Sequence, residues 1–555
     1  MRAGPAPART RARGPRDLLA ALLALLLAGP AAGQDHPPTT WVADNGNGTY
    51  SNPLFFEEFS DPDVIRVGDE YFLTGTTMHT VPGLPVLRSK DLVNWELASY
   101  ALERLELDPS FGLEGGEQYG QGIWAPVIRH HDGTFYIFSN VNGFGTQVYR
   151  SESPEGPWEH NTIETTLYDL SVLFDDDGTI YAVHRADDGV ILEELNEDIT
   201  AVMPGTRRVL MPRDALGEGY KLYRIDGTYY LISAIPGAHT PLVGAKAPTL
   251  DGPWAYDTLA AGAHLGVHTG NALRVRRGVD REPVFEVVER DPNTGGGLTL
   301  HQGAIVDTPG GEWWSIIMQD HRSLGRVSAL VPVTWQDGWP YLGLAGNLRN
   351  PPRLWVKPET GHEQEPAPLF VRDDDFDGGE LNPIWQWNHN PVDGKWSVTE
   401  EPGVLRLHSL PAPSFWWARN TLTQRAAGPV STATVAVDAA GMEPGDVAGL
   451  ALLNRPYAWI GLVRTDTGLV MRQHDQLTGT VTDAPVAGHR FWLRADADYE
   501  TEVAELTWSS DAVAFERLGD PFTLVYQLVT FQGIRYSLFH FNTREREGGH
   551  VDFDD

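Results

Sequence analysis

The sequence predicts an all-β protein: a five-bladed β-propeller followed by a β-sandwich. Three observations lead there. A turn-plus-aromatic-strand unit recurs five times in the middle of the chain. Gly (58), Pro (40), Phe (20), Trp (18) and Tyr (18) are abundant, which suits short strands and many turns. Beyond Pro340 the repeat stops, although β-like alternation resumes.

The repeated unit reads Gly68-Asp-Glu-Tyr-Phe-Leu-Thr, Asp132-Gly-Thr-Phe-Tyr-Ile-Phe, Asp177-Gly-Thr-Ile-Tyr-Ala-Val, Asp226-Gly-Thr-Tyr-Tyr-Leu-Ile and Gly310-Gly-Glu-Trp-Trp-Ser-Ile. Asp-Gly between β-prone runs signals a hairpin, because the tight turn needs positive φ. A second element follows some hairpins and ends in Trp95, Trp158 or Trp254, as in Lys246-Ala-Pro-Thr-Leu-Asp-Gly-Pro-Trp254. It reads as a turn whose Trp closes one unit against the next. Irregularly spaced units of this kind suit propeller blades; a plain sandwich with Asp-Gly hairpins is the alternative. Residues 45–348 are assigned to the propeller, 349–368 to a Pro-, Glu- and Lys-rich linker, and 369–555 to the sandwich, where Thr432-Ala-Thr-Val-Ala-Val-Asp438 alternates.

Residues 1–33 read as a signal peptide: Arg2, Arg9, Arg11, Arg13 and Arg16 precede a short apolar run, Leu18 to Ala28, and small residues at Ala31-Ala32-Gly33. That run is too short to span a bilayer, and no later one is long enough. Export to the cell exterior or periplasm is therefore expected. With no Cys, disulfides, thiolate metal sites and a Cys nucleophile are excluded. The net charge of −33 opposes phosphate backbones and anionic membranes, so no nucleic-acid partner is expected. Oligomeric state is not legible.

A propeller gathers chemistry on its innermost strands, so acids before each hairpin are the candidates. Asp61 precedes Gly68, Asp169 precedes Asp177-Gly178, and Glu218 precedes Asp226-Gly227. Blade two has Gly122-Ile-Trp-Ala-Pro-Val-Ile at that place, and blade five His301-Gln-Gly-Ala-Ile-Val. Asp61, Trp124, Asp169, Glu218 and His301 are thus read as equivalent positions around one channel. Singly, each has a plainer reading: Asp61 as a turn residue, Asp169 as an amide acceptor, Glu218 as a solvated loop acid, Trp124 and His301 as interior residues. Together, three acids, a Trp and a His suit a sugar site, since glycoside hydrolysis needs two carboxyl groups flanking the scissile bond.

On these residues the chain resembles glycoside hydrolase family 43. The matching motifs are Asp61-Pro62-Asp63, Gly122 to Pro126, Asp169 to Phe174, Glu218-Gly219 and His301-Gln302-Gly303. Trp335-Gln-Asp-Gly-Trp-Pro340 adds to them. The C-terminal part resembles the concanavalin A-like domain of β-xylosidase-like members, at Trp385 to Asn390, Pro402 to Leu407 and Ala418 to Gln424. The resemblance implies an inverting exo-glycosidase of β-xylosidase or α-L-arabinofuranosidase type acting on plant hemicellulose-type oligosaccharides. Asp61 would be general base, Glu218 general acid, and Asp169 would orient Glu218 and tune its proton affinity. Trp124, Arg326, Met78 and His79 would contact substrate or shape the entrance. No cofactor is required; His301 matches a channel residue that would support a structural ion such as calcium. Ser60, Val127 and Tyr220 depart from the pattern, and Tyr220 adjoins the expected acid. A fructan- or endo-arabinan-acting propeller and a non-catalytic carbohydrate-binding propeller are the competing readings.

Overall fold

The computed structural model describes residues 41–554 except 237–240, 263, 266–270, 278–282, 290–298 and 526–528. The signal-peptide reading of residues 1–33 lies outside the described residues.

The five repeated units are five antiparallel sheets. Their innermost strands are Ser60–Val67, Trp124–His131, Tyr168–Phe174, Glu218–Ile225 and His301–Asp307. Each pairs outward with the strand after its hairpin: Glu70–Thr76, Thr134–Asn140, Ile180–Ala186, Thr228–Ala234 and Trp313–Asp320. The expected positive φ is present at both residues of Asp132-Gly133 and Asp226-Gly227, but only at the glycine of Asp177-Gly178. Trp158 closes its blade against the preceding one, its indole N–H donating to Ser99 Oγ (3.0 Å). Blade five meets the chain's start: the Leu54 N–H donates to the Ser328 carbonyl and the Phe59 N–H to that of Arg326 (both 2.7 Å). The segment read as a linker carries a short strand, Leu354–Val356, paired with Thr49–Ser51.

One register feature corrects the sequence alignment of the blades. Every innermost strand carries a β-bulge, with one more residue between its matched pairs than on the partner strand. The residue before each bulge is Ser60, Trp124, Tyr168, Glu218 or His301. The bulged residue is Asp61 (φ 50°), Ala125 (36°), Asp169 (52°), Gly219 (68°) or Gln302 (44°). Asp61 and Asp169 therefore stand one position beyond Trp124, Glu218 and His301 rather than level with them. Pairing resumes at Asp63, Val127, Ser171 and Lys221, which form the next layer, and in blade five at Gly303.

The C-terminal part is two packed antiparallel-rich sheets. One includes Trp396–Ser397, Leu405–His408, Val430–Asp438, Arg490–Asp498, Val503–Ser509 and His550–Asp554. The other includes Leu422–Arg425, Asp446–Leu453, Ala458–Arg464, Leu469–Asp475, Thr480–Pro485 and Arg535–Asn542. Val437, Leu450, Leu493, Leu538 and Phe553 fill the space between them. The second sheet does not end within the sandwich. Its strand Gln386–Asn388 pairs with Thr80–Val81 of the propeller, so one ladder crosses the joint. Among the described residues no helix is long and apolar enough to cross a membrane.

The joint leaves no room at Gly533, where an added Cβ would lie 1.9 Å from the Leu324 carbonyl oxygen. Gly533→Ala is expected to lower stability by about 2–3 kcal/mol through overpacking against backbone. Gly112→Ala, in open space at negative φ, is the control and should leave the midpoint unchanged or slightly raised. Thermal unfolding of the two variants checks this.

Candidate active site

A bulge removes one backbone N–H from the strand ladder, and a buried N–H needs a partner. In four blades that partner is a side chain of the preceding blade around the ring. The Asp61 N–H donates to Met318 Sδ (3.1 Å) and the Ala125 N–H to Thr76 Oγ1 (2.9 Å). The Asp169 N–H donates to Asn140 Oδ1 (3.2 Å) and the Gly219 N–H to Asp169 Oδ2 (3.1 Å). This ring fixes the bulges and turns Asp61 and Asp169 inward at left-handed φ. Glu218, just before its own bulge, joins them.

The three acids differ in setting. Asp61 is buried; Thr76 Oγ1 donates to its Oδ2 (2.5 Å), and Arg326 Nη1 lies 3.5 Å from its Oδ1. Asp169 is buried too, and its carboxyl is pushed up to about 8, first by burial and then by the facing charges of Glu218 and Asp61. Glu218 keeps about a quarter of its side chain exposed (26%). Burial raises its proton affinity as well; the Arg185 and Arg326 guanidiniums oppose that rise, and Asp61 adds to it. Arg185 Nη1 donates to Glu218 Oε2. The Glu218 charge adds to the rise at Asp169, so the pair carries a proton near neutrality.

Arg326 stands beside Asp61 and Asp320. Its Nε donates to Asp320 Oδ1 (3.1 Å), and its guanidinium lies over the Phe531 ring, 5.6 Å from the centroid. Trp124 is partly exposed and meets the same Phe531 edge-on, with centroids 4.5 Å apart. Phe531 comes from the C-terminal part, so the mouth is built by both halves of the chain. Its loop is tied down by Gly533 N–H to Glu58 Oε2 (2.8 Å), Gln532 Nε2 to the Thr77 carbonyl (2.8 Å) and Ile534 N–H to the Ser323 carbonyl (2.9 Å).

Met78 and His79 sit in the joint. Met78 is fully buried and bridges Ile123 through both backbone hydrogen bonds (3.1 and 3.0 Å). His79 Nε2 pairs with Asn388 Oδ1 (3.0 Å), its ring packs on Tyr119 and His389, and burial drops its pKa to about 3. These contacts hold the seam beside the mouth.

His301 is buried, and its Nδ1 bonds the Thr299 carbonyl (2.9 Å). Its described neighbours offer few oxygens to the calcium expected there, whose six to eight oxygen ligands include waters as well as side chains. The carboxylates that act on it, Asp320 and Asp61, both lie against Arg326. Among the described residues no three His, Asp or Glu side chains are arranged to hold a metal. The layer below carries the buried Lys221, its Nζ 3.4 Å from Asp63 Oδ1.

The sequence reading missed Arg185, Phe531, Thr76 and Asn140. Arg185 follows a recognisable strand, but nothing local marks its reach to Glu218. Phe531 lies over 400 residues from Trp124 in the chain, and no short-range pattern signals it.

A propeller mouth with unlike carboxyl groups beside guanidiniums and aromatic rings has the parts of a carbohydrate-cleaving site. Comparison with known proteins gives the class. Residues 50–261 match the family model "Glycosyl hydrolases family 43", and residues 373–555 match "Beta xylosidase C-terminal Concanavalin A-like domain". A beta-xylosidase of Formosa agariphila is 28% identical over 92% of this chain and 90% of its own length. A putative beta-xylosidase of Xylanibacter ruminicola is 31% identical over 76% of this chain and 74% of its own. A non-reducing end alpha-L-arabinofuranosidase of Bacteroides ovatus is 30% identical over 65% of each. The solved structure of a bifunctional GH43-CE from Bacteroides eggerthii superposes with TM-score 0.79 at 32% identity, covering 91% of this chain and 63% of that longer one. The chain belongs to glycosyl hydrolases family 43. It is a glycoside hydrolase acting on carbohydrate, with a five-bladed propeller and a concanavalin A-like C-terminal domain.

Asp169 makes a prediction about stability. Its native carboxyl holds a proton up to about pH 8, whereas in the unfolded chain it releases it near 3.8. Across that window the native state binds the extra proton, so this group's contribution to stability falls as pH rises. Asp169→Asn keeps an acceptor for Gly219 and removes the penalty. The variant's melting temperature relative to the parent should therefore rise between pH 4 and pH 8, as scanning calorimetry would show.

Proposed function

We propose that this enzyme removes terminal xylose or arabinofuranose from hemicellulose-type oligosaccharides by single displacement with inversion. The observation that carries the reading is the unlike settings of the acids. Asp61 faces a cation and a hydroxyl donor, the surroundings of a carboxylate that takes a proton from water. Asp169 is pushed up to about 8 and burial raises the proton affinity of Glu218, so this pair carries a proton at neutral pH. Glu218 is the partner with access to the mouth, so it delivers that proton to the leaving oxygen while Asp169 keeps it in place. No cofactor or ion enters a step.

Exo action is supported by Phe531. Its loop crosses from the C-terminal domain onto Trp124 and Arg326 and covers that side of the mouth, which favours a chain end over an internal linkage. Arg326 would bind sugar hydroxyls and Trp124 would pack on the ring, with Met78 and His79 shaping the wall behind. The choice between the two pentoses follows the relatives, which bear both names. The N-terminal 33 residues support secretion; N-terminal sequencing of exported protein tests the cleavage near Gly33.

The roles separate by leaving group. Asp61→Asn should lower kcat about 10²- to 10⁴-fold on nitrophenyl pentosides and on unactivated oligosaccharides alike. Glu218→Gln should cost as much on oligosaccharides but much less on nitrophenyl substrates, whose leaving groups need little protonation. Equal losses for both variants on both substrates would contradict the assignment. Proton NMR of the first-formed sugar should show the anomer opposite to the substrate's; retention would refute Asp61 as general base.

A further inference from the structure

Lys221 is unaccounted for by any of these roles. It stands three residues after Glu218 on the innermost strand of blade four and is almost completely buried. Its Nζ lies 3.4 Å from Asp63 Oδ1, across the channel on blade one. Asp63 Oδ2 accepts from the Ile128 N–H (2.8 Å) and from Arg129 Nη1 (2.6 Å) of blade two. Arg129 continues to Ser171 Oγ (2.8 Å) and the Val172 carbonyl (2.7 Å) of blade three. A layer of two cations and one carboxylate thus lies directly beneath Asp61, Asp169 and Glu218.

The two layers form one charge cluster. Its carboxyl groups are Asp61 and Asp63 from blade one, Asp169 from blade three, Glu218 from blade four and Asp320 from blade five. Its cations are Arg129 from blade two, Arg185 from blade three, Lys221 from blade four and Arg326 from blade five. Among the described residues, the other titratable groups facing it are neutral: burial lowers His301 and raises the Tyr168, Tyr220 and Tyr223 phenols. Among the described residues, five carboxyl groups thus face four cations. In a site with little water an unbalanced charge is costly, so the cluster retains one proton.

We propose that Lys221 is a positioning residue that sets the proton count of the catalytic carboxyls, supplying from within the chain the positive charge that the channel would otherwise need from a bound cation. With Lys221 in place, one proton suffices for neutrality, and it resides on the Asp169–Glu218 pair. Without it, a second carboxyl must be protonated, and the one required as base is then disabled. The charge also reaches the acids above it: Lys221 opposes the rise at Asp169, and although burial lowers the proton affinity of Lys221 itself, Asp63 and Asp61 act to keep it an ammonium. The inference rests on Asp61 and Glu218 being base and acid.

The test is the pH profile of kcat/KM on an unactivated pentose oligosaccharide, whose leaving oxygen needs the acid, with three variants of the full chain. Lys221→Met, near in shape, should move the acid limb up by about one pH unit. Asp63→Asn removes a carboxylate instead, so the proton leaves sooner and the alkaline limb should move down by a similar amount. The double variant, which removes the whole ion pair, should return both limbs to their original places whatever its plateau rate. Asp63→Asn keeps an acceptor for Ile128 and Arg129, so it reports even if Lys221→Met fails to fold. Limbs unmoved in both single variants, or a double variant shifted as far as either, would overturn the proposal. Activity surviving in both Asp61→Asn and Glu218→Gln would instead sink the acid–base reading itself.

Discussion

The rest of the site depends on one stranded backbone amide per blade. A bulge in each innermost strand takes an N–H out of the ladder, and burial makes that group costly to leave unpaired. The neighbouring blade supplies the acceptor: Met318 for Asp61, Thr76 for Ala125, Asn140 for Asp169, and Asp169 for Gly219. The same bond therefore locks blade to blade and fixes a left-handed φ at two of the three acids. A carboxylate at such a position is held by backbone geometry, not by its rotamer alone. Asp169 serves twice, as the acceptor joining blades three and four and as the buried partner of Glu218.

A second constraint comes from the joint. The sandwich sheet continues through Gln386–Asn388 into Thr80–Val81, and Met78 just before that strand bridges Ile123, the residue preceding Trp124. On the other side, Glu58 and Ser323 hold the loop that places Phe531 over Trp124 and Arg326. The C-terminal domain is thereby fastened on both flanks of the mouth. This ties pocket shape to the integrity of the sandwich, and it explains why Met78 and His79, expected at the entrance, are packed within the seam.

Much of this was legible in the sequence because it is local. Asp132-Gly133 and Asp226-Gly227 mark hairpins that need positive φ at both residues, and alternation over residues 432–438 marks a strand with one buried face. Asp61, Asp169 and Glu218 could be picked out because a repeat shows which strand is innermost. The same reasoning misplaced them by one residue, since a bulge adds a residue without changing hydrophobic pattern. Arg185, Phe531 and Lys221 were missed for another reason. Their significance lies in contacts between blades or across the joint, and nothing near them in the chain encodes those distances. His301 was given an ion by resemblance, whereas its acidic neighbours already face Arg326.

The account turns on a single proton held among buried carboxyl groups at neutral pH. Infrared difference spectroscopy between the wild type and an Asp169→Asn/Glu218→Gln double variant observes it directly, through the carbonyl stretch of a protonated carboxylic acid. The account predicts one such band in the wild type at pH 7, fading as pH passes about 8. A difference spectrum at pH 7 that shows only ionised carboxylates would contradict it.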